Sequence, residues 1–205
     1  MLRLYVVASD TAAVWNQVAL RPMTRDDFPA LAGWLRAPHV EAWFPWEHGK
    51  TPAIEAVAAE YGPSIDGTDP TELFVIEVEG RPVGFIQRYR ISANPEWLVA
   101  LRPAIDASAA FGIDYAIGEL DATARRVGST AIRQIVADIF ERYPDADAVL
   151  VAMQQANRPS WRALERAGFE RLWAGQLDST DPSDAGPSYV YSRRRDADQP
   201  SREFS

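Results

Sequence analysis

With 205 residues, a net charge of −8 and no cysteine, the chain is long enough for one domain with a substantial core, and it excludes disulfides, a thiolate nucleophile and sulfur-ligated zinc. The acidic balance argues against nucleic acid as a partner, whose phosphates need a basic footprint, and favours the approach of a small cation. No apolar run approaches a membrane span, and the lack of thiols suits a reducing, cytoplasmic setting.

Met1–Gln17 is an extension in which Leu2–Ala8 has strand character, and its apolar stretch is too brief for a secretory core. Val18–Pro22 is a second short strand. Thr24 offers an N-cap with Asp26 and Asp27 in the first turn, and Phe28, Leu31, Ala32 and Leu35 form an apolar helix face that stops before Pro38. The segment from His39 to Gly49 is dense in aromatics and acids. Thr51–Tyr61 reads as a helix with Pro52 at its first position, and Gly62–Pro70 as a loop. Glu72–Glu79 and Pro82–Ile91 read as a hairpin around Gly80-Arg81. Ser92–Ala110 reads as an irregular stretch, and one of that length is expected to line or cover a site.

Phe111–Ile132, FGIDYAIGELDATARRVGSTAI, is the stretch around which the rest is organised. Ile113, Tyr115 and Ile117 alternate with Asp114, Ala116 and Gly118, the period of a strand. After a loop of small and acidic residues, Val127, Ala131, Ile132, Ile135, Val136, Ile139 and Phe140 recur at helical spacing as far as Tyr143-Pro144. A strand that passes through a small-residue loop into a helix start is physically an anion site, because the first helical amides have no partner within the helix. Ala148–Met153 is a continuous apolar run, hence a buried strand. Asn157 is an N-cap ahead of Pro159, and Gly168 stands where the helix should end. Phe169–Ala174 and Ser188–Tyr191 read as closing strands, and Arg194–Ser205 as a charged, disordered tail.

Among the polar residues, Asp114 is a carboxylate on an apolar strand whose neighbours on the same face, Gly112 and Ala116, are small enough to leave room for a ligand. It can serve chemistry, or it can pair with Arg88 or Arg90. Gln87 and Tyr89 share a face by alternation and suit either a ligand or ordinary cross-strand pairing. Trp43, Phe44, Trp46 and Tyr61 can wall a ligand or pack a core. His39 and His48 lack metal-ligand spacing, so no metal site is expected.

Two stretches carry a family resemblance. Thr123 to Gly128, followed by Ser129 and Thr130, resembles motif A of the GNAT acetyltransferases, (R/Q)-x-x-G-x-(G/A), with Gly128 matching, Thr123 at the Arg/Gln position and Arg126 at the first Gly. NRPSWRALERAGF, Asn157 to Phe169, resembles GNAT motif B, with Leu164 where many members have Tyr. LRPMTRDDFPALAGWL, HVEAWF, EYGPSI, GRPVGFIQRY, FGIDYAIG and RALERAGFER resemble in order the aminoglycoside 6'-N-acetyltransferases and their siderophore-biosynthetic relatives, over nearly all of Val18–Arg193. The resemblance implies an α/β GNAT fold over Val18–Arg193, a mixed central sheet with splayed strands 4 and 5 and helices on both faces.

It also implies a reaction: direct acetyl transfer from acetyl-CoA to a primary amine of a small cationic acceptor, most simply an aminoglycoside 6'-amine of the antibiotic-resistance type, with no metal. Asp114 would be the base. Backbone near Ala116, Ile117 and Gly118 would bind the pantetheine arm, amides over Arg125, Arg126, Val127, Gly128, Ser129 and Thr130 the pyrophosphate, and Asn157 the cofactor arm. Trp43, Phe44, Tyr61, Gln87 and Tyr89 would contact the acceptor. The protein would act as a monomer or homodimer. Two other readings stay open: acylation of a hydroxylamine or side-chain amine in siderophore or amino-acid metabolism, and a catalytically impaired ligand-binding domain, motivated by Arg126 and Leu164.

Overall fold

The computed structural model describes residues 17–46, 52–179 and 186–195. The strand expected at Leu2–Ala8, His48, and the residues after Arg195 lie outside the described residues. Seven strands form one sheet: β1 (Val18–Pro22), β2 (Glu72–Val78), β3 (Arg81–Arg90), β4 (Phe111–Ile117), β5 (Ala148–Gln154), β6 (Glu170–Gln176) and β7 (Pro187–Arg194). Their spatial order is β1-β2-β3-β4-β5-β7-β6, and every neighbouring pair is antiparallel except β4–β5.

The sheet is mixed and covered on both faces. Helices α1 (Phe28–Leu35) and α3 (Ile54–Ile65) bury Leu31, Leu35, Val57 and Tyr61 against Val75 and Phe85 on one face. Between them lies the single turn α2 (Pro38–Glu41). On the other face α5 (Val127–Arg142) inserts Ala131, Ile132, Ile135 and Ile139 against Ile76, Ile86 and Ile113, with Leu164 of α6 (Arg158–Arg166) beside them. These are the positions read at helical spacing, and each large side chain so buried contributes about 1.5–3 kcal/mol.

Local chemistry corrects three sequence readings. The hairpin turns at Glu79-Gly80, not Gly80-Arg81, because both of the former carry positive φ (52° and 79°) as a two-residue turn between right-twisted strands requires. The helix expected over Thr51–Tyr61 begins at Ile54, after Pro52, and runs on through Pro63 to Ile65. Proline is accepted there because Gly62 before it has no Cβ to clash, and a Cβ at that position would press to 3.2 Å from the Arg25 guanidinium. Ser92–Ala110 is not wholly irregular. Asn94 caps α4 (Pro95–Leu101) by accepting from the Trp97 amide at 3.2 Å, with Pro95 in the first turn, a start signal hidden by the prolines around it.

Two polar devices tie the edges down. Arg195, expected in the tail, instead donates to the carbonyls of Phe140, Tyr143 and Ala146 at 2.6–2.8 Å, around the C-terminal end of α5. At the other edge, buried Asp27 accepts from the Thr24 amide at 2.8 Å and takes a bidentate pair from Arg21 at 2.7 and 2.8 Å. The Arg21 guanidinium holds the Asp27 carboxyl down at about 2, below its ordinary 3.8. A depressed carboxylate stabilises the fold above its unfolded pKa and loses that contribution as pH falls through the folded one. Asp27→Asn should therefore cost about 2 kcal/mol at pH ~7 and much less at pH ~2, read from urea unfolding of both proteins at each pH.

Candidate active site

β4 is paired with β3 along its whole length, from Phe111 opposite Arg90 to Ile117 opposite Gly84. β5 is likewise paired with β7 from Ala148 to Gln154. Between themselves, β4 and β5 share only Phe111↔Val149 and Gly112↔Leu150, and then part. Beyond that point the facing backbone edges have no strand to bond to, although buried N–H and C=O groups require partners. A cavity of about 840 Å³ fills the wedge, walled by Ile113–Ile117 of β4, Val151–Gln154 of β5 and the starts of α5 and α6. Its volume is in the range of ligand-binding clefts.

One end of the cavity is built for anions. The loop after β4 enters α5 through Arg126, whose backbone is left-handed at φ 65°, and no side chain caps the helix. The amides of Val127, Gly128 and Ser129 therefore begin the helix with no acceptor inside it, at the positive end of its dipole. The Ser129 hydroxyl donates to the Arg126 carbonyl at 3.0 Å and leaves the opening clear. Arg126, Arg158, Arg162 and Arg166 all line the cavity, a cationic wall in a chain of net charge −8. Asn157 lines it too, with its side-chain oxygen capping α6 by accepting from the Ser160 amide at 3.2 Å.

The other end is aromatic and acidic. Asp114 lies in the wall on the face covered by α1 and α3, and Gln87 Nε2 donates to its Oδ2 at 2.9 Å. The arginines that might have neutralised Asp114 are engaged elsewhere. Arg88 points to the opposite face, buried, and pairs with Glu72 at 2.8–2.9 Å and with Asp138, while Arg90 pairs with Asp145 at 2.7–3.0 Å. Gln87 Oε1 is buried with no hydrogen-bond partner among the described residues, an acceptor set beside the carboxylate. Trp43 and Phe44 form the wall nearby.

Of the residues singled out from sequence, Asp114, Trp43, Phe44, Ala116 and Ile117 line this one cavity, as do Arg126 to Ser129 and Asn157. The others do not reach its wall. Tyr61 packs edge-on to Phe85 in the helix-covered core, where burial foremost, then Glu60 and Asp114, push its phenol pKa up. Tyr89 lies over Gly112 and takes up the space that the missing side chain seemed to reserve for a ligand; a Cβ there would meet its ring at 2.5 Å. Gly118 is roofed by Trp34, and its amide donates to Val83 O at 2.9 Å. The Thr130 amide bonds Arg126 O inside α5, and Arg125 stands outside the wall, near Asp121, whose pKa is lowered chiefly by the hydrogen bond from Arg81 and further by Arg125.

Sequence reasoning passed over several cavity residues, among them Arg158, Arg162, His39 and Tyr115. His39 Nε2 bonds the Ile117 carbonyl at 2.9 Å, and the Tyr115 hydroxyl meets Ser160 across the wedge. The partners are 78 and 45 residues apart, so no local pattern announces them. Among the described residues no cluster of His, Cys, Asp or Glu could hold a metal ion, and no helix is long and apolar enough to cross a membrane.

A sheet that opens beside an uncapped helix start, with a carboxylate at the far end of the wedge, defines an acyl-transfer fold, and the chain belongs to the acetyltransferase (GNAT) domain family, whose model matches residues 23–177. It is 26% identical to an aminoglycoside N(6')-acetyltransferase type 1 of Serratia marcescens over 192 residues, 93% of this chain and 89% of that one. It is also 26% identical to an enzyme of the same name from Klebsiella pneumoniae, over 76% of this chain and 75% of that one. In structure it superposes on the aminoglycoside acetyltransferase AAC(6')-Ib bound to coenzyme A with a TM-score of 0.72 at 24% identity, covering 87% of this chain and 95% of that one. A complex of AAC(6')-Ib with ribostamycin and coenzyme A gives 0.74 at 24% identity, over 93% and 100%.

The left-handed backbone at Arg126 has a measurable cost. An L side chain there is strained by on the order of 1 kcal/mol, which glycine relieves. Arg126→Gly should raise the unfolding free energy by up to about 1 kcal/mol, whereas Arg126→Ala, which keeps the Cβ, should leave it unchanged; urea denaturation of both variants reads the difference.

Proposed function

We propose that this protein transfers the acetyl group of acetyl-CoA directly to a primary amine of a small cationic acceptor, an aminoglycoside 6'-amine being the leading case. The observation that carries the reading is the parting of β4 and β5 after Gly112↔Leu150, which leaves one continuous cavity from the α5 amides to Asp114. The wedge has the chemistry for acetyl-CoA. Uncapped amides and four arginines suit phosphates, and parted strand edges suit the amide-bearing pantetheine arm, which binds like an added strand. When bound, acetyl-CoA supplies the activated acyl group.

The chain's own residues do the rest. The amides of Val127–Ser129 and the guanidinium of Arg126 hold the phosphates, and Asn157, at the start of α6, contacts the cofactor arm. Trp43 and Phe44 bound the space into which the acceptor enters, and the acidic chain favours its approach. An alkylammonium cannot attack until it loses a proton. Asp114 attracts it and accepts that proton, directly or through water, and the bond from Gln87 holds the carboxylate in position. The likeness to aminoglycoside N(6')-acetyltransferases along most of the chain supports an aminoglycoside over other amines.

Thiol release from acetyl-CoA with kanamycin, ribostamycin, polyamines and hydroxylamines tests the acceptor class. Aminoglycosides with a 6'-amine should give the highest kcat/KM, and those with a 6'-hydroxyl should give none. Activity confined to hydroxylamines would replace this reading, and no release with any amine would end it. Asp114→Asn should lower kcat by about 100-fold or more while CoA affinity, measured by calorimetry, stays within about twofold. A variant with wild-type kcat at every pH would remove Asp114 from the mechanism.

A further inference from the structure

Asp114 accounts for one proton of an acetyl transfer, the one taken from the incoming amine. The electron pair of the broken C–S bond arrives on the departing sulfur, which also needs a proton. Alternation along β4 places the next residue, Tyr115, on the opposite face of the sheet, toward α5 and α6, where Ile113 and Ile117 also point. It stands at the level of Asp114, beyond the last β4–β5 pair, in the cavity wall. The acceptor enters from the Asp114 side, and the phosphate-binding end of the cavity, at α5, lies on the Tyr115 side. The reacting carbonyl must therefore sit in the gap between them, with its sulfur toward Tyr115.

The hydroxyl of Tyr115 is held for such a task. It lies 2.8 Å from Ser160 Oγ and 3.2 Å from the Ser160 carbonyl, in the first turn of α6. The helix ladder already assigns that carbonyl to the Leu164 amide. With the Ser160 hydroxyl donating to the phenol oxygen, the phenolic hydrogen has only this long contact to an occupied carbonyl, so a better acceptor in the cavity can take it. Leu164, one turn along the same helix face, is wholly buried and has no proton to give. Burial pushes the Tyr115 phenol pKa up, so the group stays protonated at neutral pH.

We propose that Tyr115 is the hydrogen-bond and proton donor to the departing CoA sulfur, steadied and reprotonated through Ser160. This rests on the acetyl-transfer reading above. The protons balance. The acceptor ammonium loses one to Asp114 before attack and a second as the amide forms. The C–S bond breaks with its pair on sulfur, Tyr115 delivers one proton there, and one proton is released to solvent. Asp114 and the amide nitrogen each give up their proton to water, and the phenolate takes one back from water along the Ser160 hydroxyl, which leaves the single released proton.

In the full-length protein, Tyr115→Phe should lower kcat by about 10- to 100-fold while the acetyl-CoA KM and the CoA affinity stay within about twofold. A fluorinated tyrosine of lower phenol pKa at position 115 should restore turnover near neutral pH and bring a fall in kcat into the measurable alkaline range. Its fluorine NMR resonance should move on adding CoA and not on adding desulfo-CoA, a readout independent of turnover. Unchanged kcat in Tyr115→Phe, loss of kcat matched by loss of CoA affinity, or the same resonance shift from CoA and desulfo-CoA would each overturn the proposal. Wild-type protein that binds no CoA would instead overturn the acetyl-transfer reading, and this proposal with it.

Discussion

The structure depends on a refusal to pair. β4 and β5 are neighbours in one sheet, yet they share two residue pairs and then diverge, each supported only by the strand on its far side. Buried backbone without partners is expensive, so a fold keeps such edges only where something else is to bond them. The antiparallel ladders β3–β4 and β5–β7 supply the rigidity that lets the gap stand open. The core on either face follows the same division, with α5 filling one side and α1 and α3 the other. Everything assigned to the site is arranged along that opening: amides and arginines at one end, the carboxylate at the other.

Much of this was legible in the chain. The alternation through Ile113, Tyr115 and Ile117, the helical spacing from Val127 to Ile139 and the caps at Thr24 and Asn157 are local signals, and local signals set local structure. What stayed hidden is tertiary or conformational. No periodicity shows that Tyr89 will lie over Gly112, or that His39 will reach the Ile117 carbonyl from α2. The turn was misplaced by one residue because Glu79 takes a positive φ that its side chain disfavours. Helix α4 was missed because Pro95 and Pro103 suggested a loop, while Asn94 and Pro95 together form a helix start.

The charge distribution resolves an apparent contradiction. An acidic protein is by net charge a poor host for a polyanion, yet the cavity wall gathers four arginines, one before α5 and three on α6. Several other arginines are consumed by carboxylates on the sheet faces and edges, as Arg88 is by Glu72 and Asp138, and Arg21 by Asp27 and Glu77. Net charge describes what approaches from a distance, whereas local placement decides what binds. The two together suit a site with a cationic end and an acidic one.

The anchoring of Arg195 bears on how the polypeptide can be shortened or extended. Its guanidinium clasps three main-chain oxygens near the end of α5, some fifty residues away in sequence, so a trimmed version ending at Arg194 would free the last turn of the helix whose start frames the cavity. Purification handles and fusion partners belong beyond this clasp, where they meet a strand end that is already fastened.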